Sequence, residues 1–343
     1  MGEVISQRQL NRSLLVRQGL VEAYDAPVPQ VLEQVGGLQA QYAPSMYIGL
    51  WSRMRVFSRA ELTRALEARE VVQATLLRGT IHLVSAADYW LFSTAVRGSL
   101  RDWFDRMAKG DPPPADVERM AARLRAALAD GPLRQSEIDD LLGRQARRWM
   151  NAYLDLVRVP PSGTWERRRA DRYTDASVWL GAAQVSIDEA VDALVRRYLA
   201  GFGPATTTDI ASWSGLLVRT ISAALHRVDH VVLEGPGGSA LVDLPEAPIP
   251  DPDQPVPVRF LPTWDAVLLV HARRTQVLPE QHRPKIFSTK TPHSFPTFLV
   301  DGAVAGTWRY ANGRIELAEF ESLAGRVRRS VEEAAERLAA FHG

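Results

Sequence analysis

The strongest constraint on the fold is a pattern that occurs three times: capped helices, then two short strands joined by a turn. The first occurrence opens at Ser6-Gln7-Arg8-Gln9. A Ser three residues before a Gln satisfies the free amides of a helix start, and Leu10, Leu14 and Leu15 follow on one face. A second helix is predicted from near Pro29 through Val31, Leu32 and Val35, stopping at Gly36-Gly37. A third begins at Ser58, with Glu61 completing its capping box and Leu62 and Leu66 as its apolar positions. Strand-like Val71 to Leu77 turns at Arg78-Gly79 into Thr80-Ile81-His82-Leu83-Val84, and a long amphipathic helix runs from Ser85 toward Met107.

Pro112-Pro113-Pro114 marks a linker. Helices are then predicted from Asp116 to about Ala129, from near Ser136, and over Gln145 to Leu156. A strand pair follows, Leu156 to Pro160 and Trp165 to Tyr173, joined by Pro161-Ser162-Gly163. The third occurrence starts at Ser186-Ile187-Asp188-Glu189, passes through Thr207 to Gly215 and Leu216 to Arg227, and closes with Val231 to Glu234, the turn Gly235-Pro236-Gly237-Gly238, and Ala240 to Val242. After a Pro-rich stretch from Pro248 to Pro257 the pattern changes to strands: Val258 to Leu261, Ala266 to Val270, Thr297 to Val300, Ala303 to Tyr310 and Ile315 to Leu317. Asp301-Gly302 and Asn312-Gly313 have the chemistry of two-residue hairpin turns. A last helix, Glu321 to Phe341, carries Leu323, Val327, Val331, Ala335 and Leu338 on one stripe.

Helices followed by a two-stranded wing are the layout of a winged helix. The fold class predicted is α+β: three tandem winged-helix units over 1–110, 111–182 and 183–247, then a small antiparallel β-domain with a C-terminal helix over 248–343. A generic α+β protein with several helix-to-hairpin junctions carries the same signals.

At 343 residues the chain is long for one small domain. It has no cysteine, which excludes disulfides, thiolate metal sites and a Cys nucleophile. Its start lacks the basic and apolar blocks of a signal peptide, and no apolar run reaches membrane-spanning length. The net charge is +1, and Lys109, Lys285 and Lys290 are the only lysines, so the positive charge is almost entirely arginine. Guanidinium forks match phosphate oxygens and stack on bases, and near-neutral charge allows nucleic-acid binding where those forks cluster.

One tripeptide stands out chemically. Gln39-Ala40-Gln41 follows the Gly36-Gly37 stop and precedes Tyr42. Two amides two residues apart point the same way on an extended backbone. Each offers a donor and an acceptor, so two together can hold a water molecule without ionising. That design suits a reaction whose leaving group is already activated. Alone, Gln-x-Gln is short and ordinary on a protein surface.

The chain resembles the AlkZ-like tandem winged-helix DNA glycosylases. The resemblance lies in Leu38-Gln39-Ala40-Gln41, in Leu77-Arg78-Gly79-Thr80-Ile81-His82-Leu83, and in Gly203-Pro204-Ala205-Thr206 with Asp209 and Trp213-Ser214-Gly215. It continues in Phe260-Leu261-Pro262 with Asp265, Leu268-Leu269, His271 and Arg274, and in Val300-Asp301-Gly302 with Gly306-Thr307-Trp308-Arg309. These segments follow one another in order over nearly the whole chain. The resemblance implies bacterial enzymes that excise N-alkylated purines and unhook interstrand crosslinks, a C-shaped body, and Gln39 and Gln41 as the catalytic pair. One branch of the family has Asp at the second position. The Gln-x-Gln branch is associated with bulky natural-product adducts and self-resistance in antibiotic producers. Family membership alone does not fix the substrate.

An alkyl group on N7 or N3 makes a purine cationic, so the base leaves neutral and needs no strong general acid. The enzyme must place a water and stabilise an oxocarbenium-like sugar, which is positioning and electrostatics. With no lysine near the pair in sequence, the expected product is an abasic site from a monofunctional enzyme. No cofactor and no metal are called for. The expected partner is double-stranded DNA, bound by a monomer in the cytoplasm at the nucleoid. A winged-helix regulator without enzymatic activity is the competing reading, and a scaffold that protects DNA or sequesters a drug is a third.

For DNA contact, Arg144, Arg147, Arg148, Arg158, Arg167, Arg168, Arg169 and Arg172 concentrate in the second unit, on and around its wing. Glu166 and Asp171 interrupt that run, as they would on a solvated charged face. Arg78, Thr80 and His82 of the first wing are candidates beside the lesion, and a structural histidine is the alternative for His82. Asp265, His271 and Arg274 form a candidate polar cluster at the cleft, with structural pairing as its alternative. Trp213, Trp264 and Trp308 read as core or anchor aromatics.

Overall fold

The structure is a computed structural model of the chain and describes residues 4–269, 275–288 and 293–343. The first 110 residues fold as α1 (Gln7–Arg17), α2 (Val28–Val35), β1 (Leu38–Gln39), α3 (Ala43–Arg53), α4 (Arg59–Glu67), β2 (Val71–Thr75), β3 (Ile81–Ser85) and α5 (Ala86–Ala108). The helix starts are those the capping residues specify. Ser6 and Gln9 form a reciprocal box, Ser58 accepts from the Glu61 amide, and Ser85 accepts from the Asp88 amide. Helix α3 carries no sequence signal of comparable strength. It contains Gly49, where an added Cβ would come within 3.2 Å of Leu38, so the glycine lets β1 lie close against it.

The next segment contains α6 (Pro114–Leu128), β4 (Leu133–Arg134), α7 (Gln135–Leu142), α8 (Met150–Tyr153), β5 (Leu156–Arg158), β6 (Arg172–Asp175) and α9 (Ala176–Leu180). Here two expectations need correcting. Gln145 to Leu156 is not one helix: a 3-10 turn, Arg144–Arg148, precedes the single-turn α8, and Leu154 adopts extended backbone to enter β5. Trp165 to Tyr173 is mostly loop. The Ser162 hydroxyl donates to the Arg169 carbonyl and accepts from the Asp171 and Arg172 amides, while the Thr164 hydroxyl accepts from the Arg167 amide. Those side-chain bonds satisfy locally the backbone groups that a strand would have paired.

Then come α10 (Ile187–Phe202), α11 (Thr207–Ser214), α12 (Val218–Leu225) and the hairpin of β7 (Val231–Glu234) and β8 (Ala240–Asp243). The C-terminal part has β9 (Arg259–Leu261), α13 (Ala266–Leu269), α14 (Arg283–Ile286), β10 (Phe287–Ser288), β11 (His293–Ser294), β12 (Thr297–Val300), β13 (Ala303–Ala311), β14 (Arg314–Glu319) and α15 (Gly325–His342). The strand expected from Ala266 is a helix instead, because the Asp265 carboxylate accepts the Val267 amide and its carbonyl accepts that of Leu268. Asp301-Gly302 and Asn312-Gly313 all have left-handed backbone (φ 48, 79, 52 and 76°), as the two-residue hairpins of β12–β13 and β13–β14 require.

The protein is a mixture of helix and sheet. The first two hairpins are not separate wings: they join edge to edge in one six-stranded sheet, order β1-β3-β2-β5-β6-β4, with Gln73 opposite Arg158 and Ala74 opposite Val157 at the seam. The C-terminal meander is ordered β14-β13-β12-β9. One apolar cluster joins Leu14, Val84 and Phe92 to Tyr198, Phe202, Trp213 and Ile221 of α10–α12. Another joins Val31, Val35, Tyr47 and Leu50 to Phe260, Phe298, Trp308, Val331 and Leu338. The N-terminal helices are thus wedged between the third segment and the C-terminal part. Two buried ion pairs span the same junctions: Arg17 with Asp243 (both bonds 2.7 Å) and Arg53 with Asp265 (2.9 and 3.0 Å).

Candidate active site

The Gln-x-Gln tripeptide owes its position to two glycines. Gly36 ends α2 in the left-handed conformation, and Gly37 (φ 78°) brings the chain so close to β3 that a Cβ there would meet Val84 at 2.9 Å. Leu38 and Gln39 then pair with Leu83 and His82, and the Ala40 amide continues the ladder onto the Ile81 carbonyl at 2.7 Å. Gln39 and Gln41 therefore flank a buried Ala40 on the edge strand of the sheet.

Each carboxamide is tied to the β2–β3 turn or to β3. Gln39, only 8% exposed, accepts at Oε1 from Arg78 Nη2 at 3.3 Å. Gln41 is exposed and accepts at Oε1 from the Ile81 amide at 2.9 Å. A carbonyl oxygen has two lone pairs, so each keeps one acceptor site, and neither Nε2 has a partner among the described residues. The pair is anchored but not saturated.

Arg78 organises the turn. Its backbone is left-handed (φ 55°), its Nη1 donates to the Trp213 carbonyl at the end of α11, and Gly215 lies against its main chain. Part of the residue stays accessible, yet desolvation of its guanidinium draws the pKa down to about 10, so it remains a cation at neutral pH. Thr80 is half-buried and its hydroxyl donates to the Leu77 carbonyl. His82 does not sit on the surface: it is 3% exposed, with Nδ1–H donating to the Thr80 carbonyl at 3.0 Å. Burial foremost, and then the Arg78 charge, push its pKa down to about 3. It is a neutral structural histidine, which corrects the expectation that it meets DNA.

The second segment's arginines divide by environment. Arg144 and Arg148 are exposed on the 3-10 turn; the Arg147 side chain lies outside the described set. Arg158 is buried beneath the Tyr173 ring, with Nε and Nη1 unpartnered and its pKa lowered by desolvation, so it is withdrawn from any DNA surface. Arg167, Arg168, Arg169 and Arg172 are exposed. Arg169 pairs with Asp171 at 3.3 Å, whereas Arg168 donates to the Tyr42 hydroxyl at 3.0 Å and has no carboxylate partner among the described residues. That contact sets the Arg167–Arg169 loop beside the residue following Gln41. Trp165 of the same loop is buried edge-on to Tyr47 and carries Arg59 over its ring at 5.0 Å. Sequence reasoning did not find Arg59, because nothing local links it to the loop.

Among the described residues Asp265 joins no cluster at the cleft. It is the buried bidentate partner of Arg53, which also reaches Gln18, so it clamps α3 to the C-terminal part. His271 and Arg274 lie outside the described residues. Trp213 and Trp308 are core residues, Trp308 donating to the Leu261 and Thr297 carbonyls, and Trp264 is half-buried. Among the described residues there is no cluster of metal-ligating side chains, and no helix is long and apolar enough to cross a membrane.

The family described as DNA glycosylase AlkZ-like matches residues 32–341. The chain belongs to the AlkZ-like DNA glycosylase family. It is a DNA N-glycosylase, and its partner is DNA. Among solved structures it is similar to Streptomyces sahachiroi DNA glycosylase AlkZ, with a TM-score of 0.82 and 19% identity over 98% of this chain and 97% of that one. At that identity the likeness speaks for the fold. No curated protein matches the chain.

Proposed function

We propose that the protein hydrolyses the N-glycosidic bond of N-alkylated purines, above all N7-alkylguanine, with a water positioned by Gln39 and Gln41. The observation that carries this reading is the anchoring of both carboxamide oxygens by the β2–β3 hairpin, with an acceptor site left on each. The water oxygen attacks C1′ as the bond to the purine breaks. The bonding pair moves into the cationic ring, which leaves neutral, and the water's proton passes to solvent. The carbonyl dipoles face the positive charge that grows on the sugar. The product is an abasic site, and bulky or crosslinked adducts on the same ring positions fall within the chemistry.

We read the helix-and-hairpin repeats as three winged-helix units over 1–110, 111–182 and 183–247, the first two sharing one sheet, with a C-terminal β-domain from 248, acting on duplex DNA as a monomer. Arg144, Arg148, Arg167, Arg168 and Arg172 are exposed arginines available for phosphate, and Arg78 lies beside Gln39. Self-resistance to an alkylating natural product is the setting a Gln-x-Gln enzyme suits. The test is incubation with duplex carrying one N7-methylguanine, then alkali. Strand breaks with wild type and their loss with Gln39→Ala support the proposal. Equal release by wild type and both Gln→Ala variants removes the mechanism, and binding without breaks returns the regulator reading.

A further inference from the structure

Lined in part by Arg78 lies a cleft of about 320 Å³, walled by the C-terminal half of α5 and the junction between α11 and α12. Arg78 lines it and touches Gln39, so the cleft is one side chain away from the carboxamide. Trp103 on α5 lines it while 56% exposed, and Leu217 at the junction lines it while 54% exposed. Large apolar side chains left in water at a concave site mark a binding surface. Asp102 and Arg106, a turn apart on α5, line the same cleft, both exposed and neither with an ion-pair partner among the described residues.

We propose that this cleft receives the alkylated nucleotide out of the duplex, its base against Trp103 and its phosphate at Arg106. The inference rests on the N-alkylpurine reading above and names where that base goes. A purine alkylated at N7 or N3 is a planar cation. An indole face both stacks nucleobases and attracts cations. The Asp102 carboxylate favours the charged base and loses that attraction once the base leaves neutral, so the same contact that selects the substrate lets the product go. Two cations in the lining oppose a cationic base. Arg78 is held by the Trp213 carbonyl and the Gln39 amide, and Arg106 is the group left for the phosphate a flipped nucleotide carries. The volume sits at the low end of the roughly 300–1,000 Å³ of ligand pockets, the scale of one nucleoside.

Trp103→Ala and Trp103→Phe change an exposed side chain and keep the fold. With duplex containing one N7-methylguanine, single-turnover release by Trp103→Ala falls about tenfold or more, as loss of a base-stacking ring predicts. Trp103→Phe keeps most of the rate, and both variants bind undamaged duplex as wild type does. Lesion duplex quenches tryptophan emission more than undamaged duplex does, and that excess disappears in Trp103→Phe. A Trp103→Ala enzyme that releases base at the wild-type rate overturns the proposal. So does an equal loss of affinity for damaged and undamaged duplex, or excess quenching that persists in Trp103→Phe. Wild type that releases no N7-methylguanine sinks the substrate reading as well, whereas normal wild-type release with an unaffected Trp103→Ala sinks this inference alone.

Discussion

Gln41→Ala separates chemistry from folding better than any other change at the pair. Gln41 is exposed, and its one anchoring bond comes from the Ile81 amide. In the variant that amide turns to water, so the stability loss is about 1 kcal/mol or less, a few degrees of Tm at most. The rate responds more. A neutral hydrogen bond contributes about 0.5–1.5 kcal/mol net, whereas a preorganised catalytic dipole in a dry site is worth about 2.7–4 kcal/mol. A partly wet edge strand falls between, so about 1.4–2.7 kcal/mol, or roughly 10- to 100-fold in single-turnover release of N7-methylguanine. DNA affinity stays constant, because removing a neutral side chain displaces no counterions. Gln41→Glu keeps the reach and adds a charge worth up to about 4 kcal/mol at 4 Å and an effective dielectric of 20, before solvent screening. Its rate should equal or exceed wild type and fall as pH drops through about 4.3, where a free Glu protonates. The measurements are alkali-developed release, anisotropy with undamaged duplex, and a melting curve. Release by Gln41→Ala within threefold of wild type refutes the reasoning, as does a rate loss that tracks a loss of DNA binding.

Other outcomes follow from the environments of named side chains. Asp265→Ala leaves Arg53 buried and unpaired and should cost about 3–5 kcal/mol, read as a lower denaturant midpoint; an unchanged midpoint would restore a surface role to Asp265. His82 has its folded pKa depressed from 6.5 to about 3, so the folded state resists a proton that the unfolded chain accepts. Its neutrality costs nothing above about pH 6.5, and stability is lost progressively as pH falls from there toward 3; His82→Asn should flatten that acid slope in calorimetry. Arg167→Glu and Arg168→Glu should weaken duplex binding and lower the salt slope by about 0.9 per lost phosphate contact, and Arg169→Glu should do less because Asp171 already neutralises it. Gly37→Ala introduces a Cβ 2.9 Å from Val84 at positive φ, and should lower both melting temperature and base release by shifting β1.

Local signals carried much of the architecture. Ser6, Ser58 and Ser85 start helices because a hydroxyl satisfies an amide three residues on, and Asp-Gly and Asn-Gly make left-handed turns because those residues tolerate the conformation. The errors arose where side chains made a competing bond. Ser162 turned an expected strand into a loop, and Asp265 turned another into a helix. The merging of two hairpins into one sheet left no trace in either hairpin, since the seam between Gln73 and Arg158 joins residues far apart in the chain. At the site, the tripeptide was legible as a pair of amides on extended backbone. Its anchors were not. That Arg78 spans Gln39 and the α11 carbonyl depends on α11 packing against the hairpin, and that Arg168 meets Tyr42 depends on how the first two segments dock.

The polarity of the site bears directly on which bases can leave. Releasing an unmodified purine requires a proton on the departing ring, and so a group that can supply one near neutral pH. Among the described residues no carboxylic acid contacts either glutamine. The one imidazole paired across from Gln39 holds no extra proton until about pH 3, and the nearest cation, Arg78, keeps its own until about pH 10. On the proposed mechanism, Arg78, bonded to Gln39, also places positive charge near a sugar that becomes cationic, which would penalise the transition state. Only a purine that already carries its positive charge needs no donor as it departs neutral. On the proposed mechanism, selectivity for alkylated bases resides in what the glutamines cannot do: they would hold water, but a carboxamide does not protonate a leaving group. Replacing Arg78 with Gln should weaken affinity, and the release rate per bound complex, measured on one N7-methylguanine duplex, weighs its charge against its anchoring of Gln39: a rise shows that the charge dominates. A variant that loses affinity and rate together would show Arg78 to be a positioning residue for Gln39 instead.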